Sequence, residues 1–127
     1  MSERELFEYL KKNYLYDLEM SKDKYSKHDC FSKSTKIRIE LKCRKTHYDK
    51  LMLEKNKYDY LIEKYKLHKE IPLYINYTPK EIYRFNLIDL SPVWIVDKRM
   101  PKSTDFENKY KVEKEYCLIS IHNSKII

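Results

Sequence analysis

The chain has 127 residues and a mass of 15.8 kDa, enough for one hydrophobic core and too little for a second domain of comparable size. Hydrophobic residues make up 42% and charged residues 37%, and 13 Tyr with 4 Phe supply bulk for a core, which argues against a disordered chain. The balance of 27 Lys and Arg against 20 Asp and Glu gives +7 and favours a polyanionic partner, while the absence of Gly excludes Gly-rich phosphate loops and dinucleotide fingerprints.

Ser2 and Glu5 have the spacing of a capping box, and Leu6, Phe7, Tyr9 and Leu10 follow as a helical stripe, so a first helix is expected from Ser2 to about Lys12. Alternation through Leu15–Met20 predicts a strand, a second is expected around Lys27–Phe31, and Ser32-Lys33-Ser34 turns the chain into a third from about Thr35 to Arg44. Thr46 is placed to cap a long helix from Tyr48 to about Leu67, read from Leu51, Met52, Lys55, Tyr58, Leu61, Ile62 and Tyr65. Leu73–Tyr77 and Ile82–Leu87 then form a hairpin across Thr78-Pro79-Lys80. Beyond Ser91-Pro92, Val93–Val96 is apolar and Cys117–Ile121 is a candidate last strand. The expectation is therefore one domain over residues 1–127, of order α-β-β-β-α-β-β, with 91–127 as a C-terminal extension.

No apolar run approaches the roughly 20 residues a bilayer span requires, and Ser2-Glu3-Arg4-Glu5 lacks the pattern of a signal peptide. A soluble cytoplasmic protein without membrane contact is expected. Cys30, Cys43 and Cys117 then read as reduced thiols.

Chemistry concentrates in Ile37-Arg38-Ile39-Glu40-Leu41-Lys42-Cys43-Arg44. Strand alternation puts Arg38, Glu40, Lys42 and Arg44 on one face, with the Leu41 carbonyl between Glu40 and Lys42. Asp29 lies upstream at a separation that a tight hairpin closes. Two carboxylates and a carbonyl are hard oxygen ligands suited to Mg²⁺ or Mn²⁺, and an ammonium beside them can orient a water for attack on a phosphodiester.

These residues resemble the PD-(D/E)XK nucleases, whose pattern is an acidic residue, a variable gap, then Glu or Asp, any residue, and Lys at the end of a core strand. Here the pattern reads His28-Asp29 and Glu40-Leu41-Lys42, with His28 where the family name has Pro, and the resemblance covers roughly residues 2 to 90. It implies a restriction-endonuclease-like α/β (α+β) core, a central mixed sheet flanked by helices. It further implies Mg²⁺ or Mn²⁺ as cofactor, Asp29, Glu40 and the Leu41 carbonyl as ligands, and Lys42 as the catalytic lysine. A first-helix glutamate that assists in some members would be Glu5, ahead of Glu8. A Gln-x-x-x-Tyr element found in several members is only approximated, by Asn56 with Tyr60 or Glu54 with Tyr58. DNA is the expected substrate, with RNA as the other candidate, cut by an endonuclease of phage or mobile-element type, as a homodimer if both strands are cleaved. A non-catalytic nucleic-acid- or protein-binding module is the alternative.

Expected phosphate contacts are Arg38 and Arg44 on the charged face of the third strand, and Lys98, Arg99 and Lys102 in a basic loop. His28-x-Cys30 with Cys43-x-x-x-His47 mimics a zinc site, but buried core thiols are the favoured reading of both cysteines. Core packing is likewise expected of Tyr74, Tyr77, Tyr83, Phe85 and Trp94 rather than stacking on bases.

Overall fold

The structure, a computed structural model, describes residues 1–22, 29–101 and 111–127. Its first element is helix α1 (Glu3–Asn13), which starts where the sequence says it should. Ser2 Oγ accepts from Glu5 N at 3.1 Å, and the Glu5 carboxylate accepts from Ser2 N at 3.1 Å. The cap contributes about 1 kcal/mol. Burial of Leu6, Phe7 and Leu10 outweighs it, at about 1.5–3 kcal/mol for each fully buried side chain.

Strands β1 (Leu18–Met20), β2 (Asp29–Ser32) and β3 (Ile37–Cys43) form the expected antiparallel meander. Residues 44–54 depart from expectation. Instead of opening a helix, Lys50–Glu54 forms strand β4, and helix α2 occupies Lys55–His68. Leu51 and Leu53 alternate inward and pair with Ile119 and Cys117 of β8 (Lys111–Ser120), a partner that no local periodicity reveals.

The hairpin of β5 (Ile71–Tyr77) and β6 (Ile82–Asn86) agrees with the sequence. Thr78 N donates to Glu81 O at 2.9 Å, and Thr78 Oγ1 accepts from Lys80 N and Glu81 N. Pro72 stands inside β5 rather than ahead of it. Pairing with β6 starts only at Leu73–Asn86, so its missing N–H interrupts no bond on that side. The C-terminal region builds into both sheets. Strands β7 (Ile95–Pro101) and β8 pair with each other, β8 also pairs with β4, and β9 (Lys125–Ile126) pairs with β6.

The result is a mixed α/β architecture with a six-stranded sheet, β1-β2-β3-β5-β6-β9, and a three-stranded sheet, β4-β8-β7. Within the larger sheet β3 and β5 run parallel, because α2 carries the chain back across it. Each face of that sheet has its own core. Ile39, Leu41, Cys30, Leu73 and Ile75 meet α1 on one side. On the other, Tyr74, Tyr83 and Phe85 meet Leu61 of α2 together with Leu51, Leu53, Cys117 and Ile119 of the small sheet.

With no Gly available, left-handed backbone among the described residues falls to Lys36 (φ 56°) and Lys69 (φ 57°). Lys69 ends α2, its N–H donating to Tyr65 O at 2.8 Å, and Ile71 N donates to Lys36 O at 2.7 Å, so both positions sit where β3 and β5 begin side by side. Among the described residues no helix is long and apolar enough to cross a membrane.

Candidate functional site

Register brings the two acidic residues together. Asp29 is the direct cross-strand partner of Glu40, so both side chains leave the same face of the sheet, and Lys42 leaves that face one step further along β3. The described pairing of β2 with β3 ends at this pair, and on its other edge β3 pairs with β5, where Leu41 is the partner of Ile75.

That face is not a solvent ridge. It lies beneath α2, with Asp29 wholly buried and Glu40 7% exposed. Burial is the main reason both carboxyls titrate high, Asp29 at about 6 and Glu40 at about 7. Arg38 pulls Asp29 back down, Lys57 does the same for Glu40, and the negative charge of Asp29 itself helps to raise Glu40.

Asp29 Oδ2 accepts from Arg38 Nη1 at 3.0 Å and from the Tyr60 hydroxyl at 3.2 Å. Asp29 Oδ1 is buried with no hydrogen-bond partner among the described residues. Arg38 also forks onto Glu70, with Nε to Oε2 at 2.7 Å and Nη2 to Oε1 at 3.1 Å, and its guanidinium lies 4.6 Å from the Phe31 ring centroid. Lys57 Nζ stands 3.6 Å from Glu40 Oε1. Lys42 makes no ion pair with Asp29 or Glu40, but its charge is felt at Glu40 and lowers its pKa.

Several expected site residues are placed elsewhere. Glu5 is committed to the Ser2 cap, which lowers its pKa, and α1 packs on the opposite face of the sheet from Asp29 and Glu40. Arg38 is held between Asp29 and Glu70 with its side chain 13% exposed, so it does not face solvent as a phosphate contact. Arg44 also turns inward, donating to Met52 O at 2.7 Å, Asn76 Oδ1 at 3.1 Å and the Tyr74 hydroxyl at 3.2 Å. There it ties β4 to β5. Lys98 and Arg99 stand in strand β7 rather than in a loop, at a register irregularity between Asp97 and Met100, and Lys102 lies outside the described residues.

The thiols behave as core groups. Cys30 is fully buried against α1, and burial pushes the Cys43 thiol up to about 12, far from a ligating thiolate. His47 instead contacts Thr78 Oγ1 at 3.1 Å and Asp49 Oδ1 at 3.2 Å, while His28 lies outside the described residues. Tyr74, Tyr83 and Phe85 are buried, Tyr77 packs against the α1-side core, and Trp94 meets the Tyr58 ring edge-on at 5.2 Å.

Lys57 and Glu70 escaped the sequence reading. The stripe Lys57, Tyr60, Leu61, Lys64 has the spacing of one helix face, and buried Leu61 marks that face as the inward one, so Lys57 was within reach of periodicity. Glu70 carries no such signal. It reaches Arg38 because it stands two residues ahead of Pro72, which is the partner of Arg38 in the parallel β3–β5 ladder.

Asp29 and Glu40 supply hard oxygen donors of the kind a small divalent cation takes. Two hard carboxylates face one another, and one oxygen of Asp29 is buried without a donor, which is costly unless a cation or proton meets it. Among the described residues no group of three or more His, Cys, Asp or Glu gathers as a ligand set. Comparison with protein-family models, with curated proteins and with solved structures yields no match to the chain.

Proposed function

We propose that this protein is a small metal-dependent nuclease that hydrolyses phosphodiester bonds of DNA on a restriction-endonuclease-like core of the PD-(D/E)XK type. One observation carries the reading: Asp29 and Glu40 are cross-strand partners, and Lys42 follows on the same face of β3. Apart from strand β4, inserted ahead of α2, the order of α1, the β1–β3 meander, α2 and the parallel strand β5 supports it.

Asp29 and Glu40 would hold Mg²⁺ or Mn²⁺, which when bound neutralises charge at phosphorus and makes water a better nucleophile. Arg38 and Tyr60 hold Asp29 by one oxygen, and the other has no hydrogen-bond partner among the described residues, which supports a ligand role for it. Lys42 orients the attacking water and stabilises its deprotonated form. Lys57 balances Glu40 until substrate and cation arrive, and its partly exposed ammonium can then turn to a phosphate. A domain of this size has little surface for base readout, so low-specificity or structure-directed cutting is expected, in a phage or mobile-element setting and as a homodimer where both strands are cut.

The test is incubation of wild type and Lys42→Ala with single-stranded, duplex and branched DNA in Mg²⁺ or Mn²⁺. Wild type should cleave, and Lys42→Ala should lose about 100-fold or more in rate. Equal cleavage by both proteins removes the lysine role. DNA binding without cleavage on every substrate supports the second reading, a non-catalytic binding module, which the contacts of Asp29 with Arg38 and of Glu40 with Lys57 favour.

A further inference from the structure

The Asp29 carboxylate is divided into one occupied and one free oxygen, and this division bears on which cation the site accepts. Oδ2 receives two donors, Arg38 Nη1 at 3.0 Å and the Tyr60 hydroxyl at 3.2 Å, whereas Oδ1 is buried with none among the described residues. The arrangement is rigid for three reasons. Glu70 grips Arg38 from behind with both carboxylate oxygens, the Phe31 ring lies under the guanidinium, and Asp29 and Glu70 are both at least nine-tenths buried. Glu70 also offsets the charge of Arg38, so a guanidinium can stand beside the site without cancelling the carboxylate it holds.

Small divalent cations such as Mg²⁺ bind in tight octahedra and take one oxygen from a carboxylate, whereas Ca²⁺ takes about 6–8 oxygens at longer range and commonly draws both from one carboxylate. A carboxylate with one oxygen already claimed by two donors can offer only the single-oxygen mode. We propose that Arg38, braced by Glu70, is the specificity-determining residue that makes this site select small octahedral cations and reject Ca²⁺. The inference rests on the proposed cation site at Asp29 and Glu40. It assigns roles to two residues that the catalytic motif does not include. Tyr60 acts in the same sense, as the second donor to Oδ2.

The experiment is a binding competition on the full chain: Mn²⁺ occupancy is read by electron paramagnetic resonance, and Ca²⁺ is titrated in as competitor. It uses wild type, Tyr60→Phe, Asp29→Asn and the double variant Arg38→Met with Glu70→Gln, which removes opposite charges together. Wild type should hold Mn²⁺ against excess Ca²⁺. In the double variant the Ca²⁺-to-Mn²⁺ affinity ratio should move toward Ca²⁺ by about tenfold or more, and Tyr60→Phe should move it less in the same direction. A role for Arg38 in folding alone would weaken both ions together and leave the ratio unchanged, and that result overturns the proposal. Should the double variant fail to fold, the ratio in Tyr60→Phe decides alone. If wild type binds no Mn²⁺, or Asp29→Asn binds it equally well, the cation site itself is refuted, an outcome distinct from an unchanged ratio.

Discussion

The Tyr60 hydroxyl donates to Asp29 Oδ2 at 3.2 Å, across 31 positions of chain, and this contact joins α2 to the carboxylate pair it covers. Lys57, one turn earlier on α2, reaches Glu40 at 3.6 Å. The helix therefore serves both as one wall of the core, through Leu61, and as the lid of a polar site that packing has forced out of water.

Stability should fall as pH rises across the site's own titration range. Asp29 and Glu40 have folded pKa values of about 6 and about 7, above the ordinary 3.8 and 4.5, so the native state binds more protons than the unfolded state between roughly pH 4 and 7. Both groups thus contribute stability that is fully present below pH 4 and lost as pH climbs through 7. Urea denaturation along this range should show the decline, and Asp29→Asn with Glu40→Gln should flatten it. Mn²⁺ at about 100 times its Kd should restore about 2.7 kcal/mol at pH 7.5 and much less at pH 5, where protonated carboxyls ligate poorly.

Asp17 carries the opposite sign. It accepts from Ser32 Oγ at 2.6 Å and from Ser34 N at 2.8 Å, and the Ser32 hydroxyl is the main cause of a pKa lowered to about 2. The stabilisation it lends to the β2–β3 turn is complete above about pH 4 and disappears as pH falls toward 2. Asp17→Asn should lower the urea midpoint at pH 7 and abolish this acid-side slope. An unchanged midpoint would show that the turn holds without the carboxylate.

Arg44 should matter to folding and not to nucleic-acid affinity. Its three hydrogen bonds hold β4 against β5, so Arg44→Met should destabilise by about 2–4 kcal/mol, in line with the loss of charged hydrogen bonds to buried acceptors. Under the proposed function, the salt dependence of DNA binding should keep its slope in this variant, whereas loss of a true phosphate contact would lower it by about one. Fluorescence anisotropy at several salt concentrations separates the two.

Lys69 ends α2 in a conformation that costs a side-chain-bearing residue about 1–2 kcal/mol. Lys69→Gly should therefore raise stability by up to about 1 kcal/mol, the unfolded chain's greater freedom cancelling part of the relief. Thermal unfolding measures the change, and a lowered midpoint would mean that the lysine side chain makes a compensating contribution.

Local chemistry was legible wherever partners were close in sequence. Ser2 and Glu5 announced the cap of α1, Thr78-Pro79-Lys80 announced the β5–β6 turn, and the alternation from Ile37 to Cys43 announced β3, because each signal depends on groups a few residues apart. The helix expected from Tyr48 begins only at Lys55, because Leu51 and Leu53 pair instead with β8, more than 60 positions away.

By itself, then, the sequence determined that β3 has two unlike faces and that Asp29 can meet Glu40 across a hairpin. Only the tertiary structure decided what covers the charged face. Alternation records that Arg38, Glu40, Lys42 and Arg44 point one way, but whether that way is water or protein depends on where α2 and β4 pack. Here they pack over it, so Arg38 and Arg44 became internal struts, and a buried carboxylate pair acquired Tyr60, Lys57 and Glu70 as neighbours.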